Sequence, residues 1–79
     1  MAVRVRLFAA LRDLAGAPEV TSEGATVGAV LDDLAARFGA EFARIAAAGS
    51  VVVDGERADA ERSVAGADEV AVLPPFSGG

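Results

Sequence analysis

Thr26 is followed by Val27, Val30, Leu31, Leu34 and Phe38, which places five apolar side chains at i, i+3, i+4, i+7 and i+11 on one face of a helix. Thr26 suits the N-cap, and Gly39 stops the helix. Asp32, Asp33 and Arg37 are expected to point away from the apolar stripe. One amphipathic helix must bury that stripe against something. Everything else in this 79-residue chain reads as short strands and turns.

The strands come in two groups, one on each side of the helix. Val3-Arg4-Val5-Arg6-Leu7-Phe8 alternates with period two, setting Val3, Val5 and Leu7 on one face and Arg4, Arg6 and Phe8 on the other. Ala9 to Leu14 can form a short helical turn closed by Gly16. Glu19-Val20-Thr21, with Pro18 at its start, is a second strand. The stretch from Gly16 to Pro18 is too short for a helical crossover, so these strands are antiparallel neighbours.

After the helix, Phe42 and Ile45 suggest a further partial turn before Gly49. Val51-Val52-Val53 runs into Asp54-Gly55, the preferred chemistry of a tight hairpin, so Glu56-Arg57-Ala58 should return antiparallel. Ala65-Gly66-Ala67-Asp68 is another turn. Glu69-Val70-Ala71-Val72-Leu73 is the last strand, ended by Pro74-Pro75, which offer no ladder donor.

One main helix can cover only one face of such a sheet, which gives an α+β domain with a solvated outer face. A β-grasp (ubiquitin-like) arrangement fits: a mixed sheet of about five strands, with the two ends of the chain supplying adjacent parallel central strands. The domain is expected to span residues 1–75, with residues 76–79 as an extended tail.

Composition removes most function classes. The chain has no Cys, His, Lys, Tyr, Trp, Asn or Gln, so it carries no thiolate nucleophile, no imidazole and no Schiff-base amine. A disulfide, a structural His/Cys metal site and a protein-ligated iron–sulfur cluster are excluded with them, and packing alone must hold the fold. The net charge of -5 argues against nucleic acid and against an anionic membrane surface. No apolar run approaches the roughly 18 residues of a membrane helix, and the alternating N-terminus is unlike a signal peptide. The cytoplasm is the expected location. Asp32, Asp33, Glu41 and Glu61 converge on no coordination geometry and read as a solvated helix face, with no metal site.

What remains is the ending, Leu73-Pro74-Pro75-Phe76-Ser77-Gly78-Gly79. By elimination, the candidate reactive atom is the carboxylate of Gly79. Glycines without Cβ can thread a narrow channel, and Pro74-Pro75 keep the tail extended and off its own sheet. Phe76 could anchor the base of the tail, while Ser77 stays small and uncharged.

With Leu7-Phe8-Ala9, Arg12-Asp13-Leu14, Gly16 and Val53-Asp54-Gly55, and above all Gly66-Ala67-Asp68-Glu69-Val70-Ala71-Val72-Leu73-Pro74-Pro75-Phe76-Ser77-Gly78-Gly79, the chain resembles the MoaD/ThiS family of ubiquitin-like sulfur carriers along its whole length. Within that family it is most similar to small subunits of molybdopterin synthase. Two residues depart from the pattern: Asp54 stands where the family often has Asn, and Arg57 where an apolar partner-facing residue is expected.

The resemblance implies a carrier cycle. An E1-like enzyme uses ATP to adenylate Gly79, and a sulfur donor displaces AMP to leave a thiocarboxylate. A molybdopterin synthase large subunit then passes the sulfur to a pterin precursor of the molybdenum cofactor. The chain would be the non-catalytic, sulfur-donating subunit and would bind no cofactor stably. The expected partner-binding residues are Phe8, Arg12, Leu73, Pro74 and Pro75. Strand alternation by itself lets Phe8 and Leu73 meet as an exposed apolar patch bordered by Arg4, Arg6 and Arg12, the alternative being that Phe8 covers its own loop. A carrier for thiamin thiazole, cysteine or tRNA thiolation is the nearest alternative. A protein modifier conjugated through Gly-Gly to target lysines is the alternative from another class.

Overall fold

A computed structural model describes residues 2–75. Eight elements follow one another: β1 (Val3–Leu7), α1 (Ala9–Ala15), β2 (Glu19–Ser22), α2 (Val27–Phe38), α3 (Ala40–Ala48), β3 (Ser50–Val53), β4 (Glu56–Ala58) and β5 (Val70–Leu73). The strands form one mixed sheet in the order β2-β1-β5-β3-β4. β1 and β5 lie parallel at its centre, and the remaining neighbours are antiparallel. This is the expected β-grasp sheet.

Strand parity builds the core. Val3, Val5 and Leu7 of β1, Val51 and Val53 of β3, and Val70 and Val72 of β5 are all buried. They meet Val27, Val30 and Leu34 of α2, as the apolar stripe requires. Leu31 and Phe38 flank that stripe and pack against the core from a half-buried position. The Thr26 hydroxyl accepts the Ala29 N–H at 3.1 Å, completing the N-cap.

The helical layer is larger than one helix. Gly39, at φ 101°, ends α2 by donating its N–H to Ala35 O at 2.9 Å, and its own carbonyl accepts the Ala43 N–H. The chain therefore bends at Gly39 and re-enters as α3. The partial turn expected around Phe42 and Ile45 is a nine-residue helix. Phe42 is completely buried, and its ring centroid lies 5.3 Å from that of Phe38 across the bend. The short helical turn after β1 also forms a full helix, α1, which buries Leu11 and is closed by Gly16 in the left-handed region.

The β3–β4 hairpin turns as its sequence demands. Asp54 (φ 49°) and Gly55 (φ 88°) are both left-handed, which matches the right-handed twist of the flanking strands. The Asp54 carboxylate accepts the N–H groups of Asp68 and Glu69, each at 2.9 Å. It thereby ties the hairpin tip to the start of β5. An asparagine could do the same through its carbonyl oxygen, so the Asp departure keeps the architecture.

Candidate functional site

β5 positions the root of the tail. It is paired on both sides, sends Val70 and Val72 into the core, and leaves Ala71 and Leu73 half-buried on the outer face. Pro74 is buried and Pro75 is exposed. Opposite them, the chain passes from α3 to β3 through Gly49. A Cβ on Gly49 would overlap Leu73 O and stand 3.2 Å from Pro74 Cα. The φ of Gly49 is an ordinary -92°, so space rather than conformation requires glycine there. Two backbones cross in contact at the point where the tail begins. Phe76, Ser77, Gly78 and Gly79, the expected tail and reactive terminus, lie outside the described residues.

The outer face can be read row by row from the strand register. Glu19 pairs with Arg6, Arg6 with Ala71, Ala71 with Val52 and Val52 with Arg57, which makes one row across all five strands. One step nearer the tail, Leu73 pairs with Ser50. Phe8 follows Leu7, the partner of Val72, so Phe8 and Leu73 occupy the next positions along two parallel neighbours. The Arg6 guanidinium lies 5.7 Å from the Phe8 ring centroid, which puts that ring on the arginine side of the sheet. Phe8 itself is half-buried. It is also the N-cap of α1, its carbonyl accepting the Leu11 N–H at 3.1 Å.

The outer face thus has a modest apolar centre of Phe8, Leu73, Ala71 and Val52. Around it stand Arg4, 3.9 Å from Glu19, and Arg6, 3.4 Å from Glu69. Arg12 is exposed on α1 and 3.9 Å from Asp13. The structure brings Phe8, Leu73, Arg4 and Arg6 onto one face, with Arg12 on the helix that starts at Phe8.

The acidic residues do not behave as one solvated face. Asp33 accepts the hydroxyl of Ser22 at 2.7 Å and pairs with Arg37 at 3.3 Å, and Arg37 also donates to Thr21 O. Ser22 is buried at the end of β2, so its hydroxyl needs a partner, and α2 supplies one. The expectation that Asp33 points away from the packed side is therefore corrected: it faces β2 and ties the edge strand to the helix. Glu41 pairs with Arg44 on α3, and that hydrogen bond, more than their mutual attraction, holds its carboxyl below the usual range. Among the described residues no three potential metal ligands gather around one point.

Three features of the region carried little sequence signal. Gly49 reads only as a helix terminator, Val52 only as part of an apolar run, and Arg57 only as a hairpin residue that departs from the family pattern. Register alone shows that Val52 and Arg57 continue the row from Arg6. One concavity, of about 420 Å³, is lined by Val3, Gly24, Val64 and Gly66. It lies at the end of the sheet where β1 and β5 begin, the opposite end of β5 from Pro74.

The ThiS family matches residues 5–79. A comparison with curated proteins finds no significant match. Among solved structures, small archaeal modifier protein 1 of Haloferax volcanii is 32% identical over 100% of both chains, with a TM-score of 0.80. A Pyrococcus furiosus protein described as molybdopterin converting factor, subunit 1, is 26% identical over 96% of this chain and 99% of its own, with a TM-score of 0.76. CysO of Mycobacterium tuberculosis is 26% identical over 91% and 97%, also with a TM-score of 0.76. With the family match running from β1 through both final glycines, the chain belongs to the ThiS family and has the β-grasp fold of its ubiquitin-like sulfur carriers and modifiers.

Proposed function

We propose that the chain carries sulfur on the carboxylate of Gly79 and donates it in molybdopterin synthesis. The observation that carries this reading is the join between fold and ending. The central strand β5 runs directly into Pro74-Pro75, and the family match continues through Phe76-Ser77-Gly78-Gly79. A chain without Cys, His or Lys has no better candidate for covalent chemistry.

An α-carboxyl with a reference pKa of about 3.3–3.7 is ionised at neutral pH, so its oxygen can attack the α-phosphorus of ATP and expel pyrophosphate. The carbonyl of the resulting acyl-adenylate accepts a sulfur nucleophile, and AMP leaves. With sulfide as the nucleophile the product is a thiocarboxylate; its sulfur then bonds to an acceptor carbon, and water cleaves the acyl–sulfur bond, leaving sulfur on the acceptor and restoring the carboxylate. The E1-like enzyme supplies the ATP site and acts in the cytoplasm, and the molybdopterin synthase large subunit holds the pterin acceptor. Phe8, Arg12, Leu73, Pro74 and Pro75 form the docking side, and Phe76, Ser77 and Gly78 the threaded segment.

Intact-mass measurement tests the proposal. With a cognate E1-like enzyme, ATP and a sulfur donor, one oxygen should be exchanged for sulfur, and fragmentation should place it on Gly79. Deleting Gly79 should abolish the exchange while the melting temperature stays unchanged. Added to the large subunit and precursor, the loaded chain should lose its sulfur. A thiocarboxylate that the large subunit cannot consume would retain the carrier and reject the molybdenum-cofactor role.

The modifier reading is supported by the likeness to small archaeal modifier protein 1. Both readings use an activated Gly79. Under the modifier reading, cell extract should yield a ladder of target-linked products, with no sulfur exchange on the isolated chain.

A further inference from the structure

We propose that Arg57 fixes partner choice by demanding a carboxylate on the activating enzyme, opposite the β4 edge of the outer face. The inference rests on the carrier reading but concerns docking, not the sulfur chemistry. Arg57 is exposed and stands at the end of the row Arg6–Ala71–Val52–Arg57. Three strand spacings put its Cα about 14 Å from that of Arg6.

The other arginines of this face are already answered. Arg4 has Glu19, Arg6 has Glu69 and Arg12 has Asp13. The acid beside Arg57, Glu56, is held by Arg62 at 3.4 Å. Among the described residues Arg57 meets no carboxylate; it donates to the Ser50 hydroxyl at 3.2 Å. That bond lays the guanidinium toward Ser50, the register partner of Leu73.

A surface that covers Val52, Ala71 and Leu73 must therefore also cover Arg57. An apolar partner would strip water from a charge and return nothing, whereas a carboxylate would restore a charge-assisted hydrogen bond. Locally, an unanswered guanidinium at the rim also opposes a basic group on the matching surface of a partner. The guanidinium thus serves as attraction toward one class of surface and repulsion toward the other.

The experiment uses the full chain and the E1-like enzyme, with Arg57→Glu, Arg57→Leu and Ser50→Ala. Binding is titrated directly without ATP at two salt concentrations, and loading is followed by mass. Arg57→Glu should weaken binding and raise KM by about tenfold or more while kcat stays put, because the tail is untouched. Arg57→Leu should weaken binding less, and its residual affinity should lose part of the wild-type salt dependence. Ser50→Ala should be close to neutral. Unchanged melting temperatures would establish that each variant is folded. Equal or tighter binding by Arg57→Leu would overturn the proposal, since only the arginine stem would then matter. A chain that binds the enzyme through Arg57 but is never loaded would reject the carrier reading and leave this one standing.

Discussion

The two faces of one sheet obey different rules, although they alternate residue by residue along the same strands. The inner face of β1, β3 and β5 is aliphatic and closed by α2 and α3, with Val5, Val70 and Val72 at 0% exposure. The outer face carries Arg4, Arg6 and Arg57 around half-buried Val52, Ala71 and Leu73, and no element of the described chain covers it. A β-grasp domain with a single helical layer can hide only one side. Stability therefore resides on one face, and the other is free to be shaped for recognition.

Substitutions on each face should separate these roles. Phe42→Ala, in the closed layer, should cost about 3–5 kcal/mol in chemical denaturation, which for so small a domain approaches the whole stability. A loss below about 1 kcal/mol would show that the α3 contact is dispensable. Gly49→Ala sits between the faces: its Cβ would strike Leu73 O, and we expect a loss of about 1–3 kcal/mol together with slower sulfur loading. A folded variant with unchanged loading would mean that the backbone crossing does not orient the tail.

Leu73→Asp and Phe8→Asp should cost less stability than Phe42→Ala yet weaken partner pull-down far more. If they melt first and bind normally, the outer face is a second core. Thr26→Ala removes one cap bond from the closed side and should cost about 1 kcal/mol without touching docking. Arg44→Ala should have the smallest effect. Glu41 has a lowered pKa, so any stabilisation from its ion pair is present above the unfolded-state pKa and fades as pH falls through the folded one. Both groups are fully exposed, so the variant should raise the Glu41 titration midpoint by NMR and leave the melting temperature alone.

Local chemistry made much of the fold legible. Asp54-Gly55 dictates its hairpin, Thr26 its cap, and the alternation in β1 its buried face. α3 was harder to read because Ala40, Ala43, Ala46, Ala47 and Ala48 blur the apolar period, leaving Phe42 and Ile45 as the signal. Asp33 was misread because its partner, Ser22, is eleven residues earlier, and helical spacing says nothing about what packs beside an acid. The outer face was half legible. Parity predicts Phe8 and Leu73 from within their own strands, whereas the place of Arg57 depends on register across β3 and β4. Gly49 is legible only in three dimensions, because the atoms that exclude a side chain belong to residues 73 and 74.

The parallel pairing of β1 with β5 also has a kinetic consequence. Val5 finds its partner at Val70, a separation of 65 residues, so the central ladder is among the last parts able to form. Hairpins and helices between them can assemble locally, but the core stays open until the C-terminal strand docks. That docking event also sets Leu73 and Pro74 against Gly49. A refolding chain therefore closes its core and seats Pro74 in one event. The surface that joins Phe8, just after β1, to Leu73 on β5 exists only once that strand has docked, so an open intermediate lacks it.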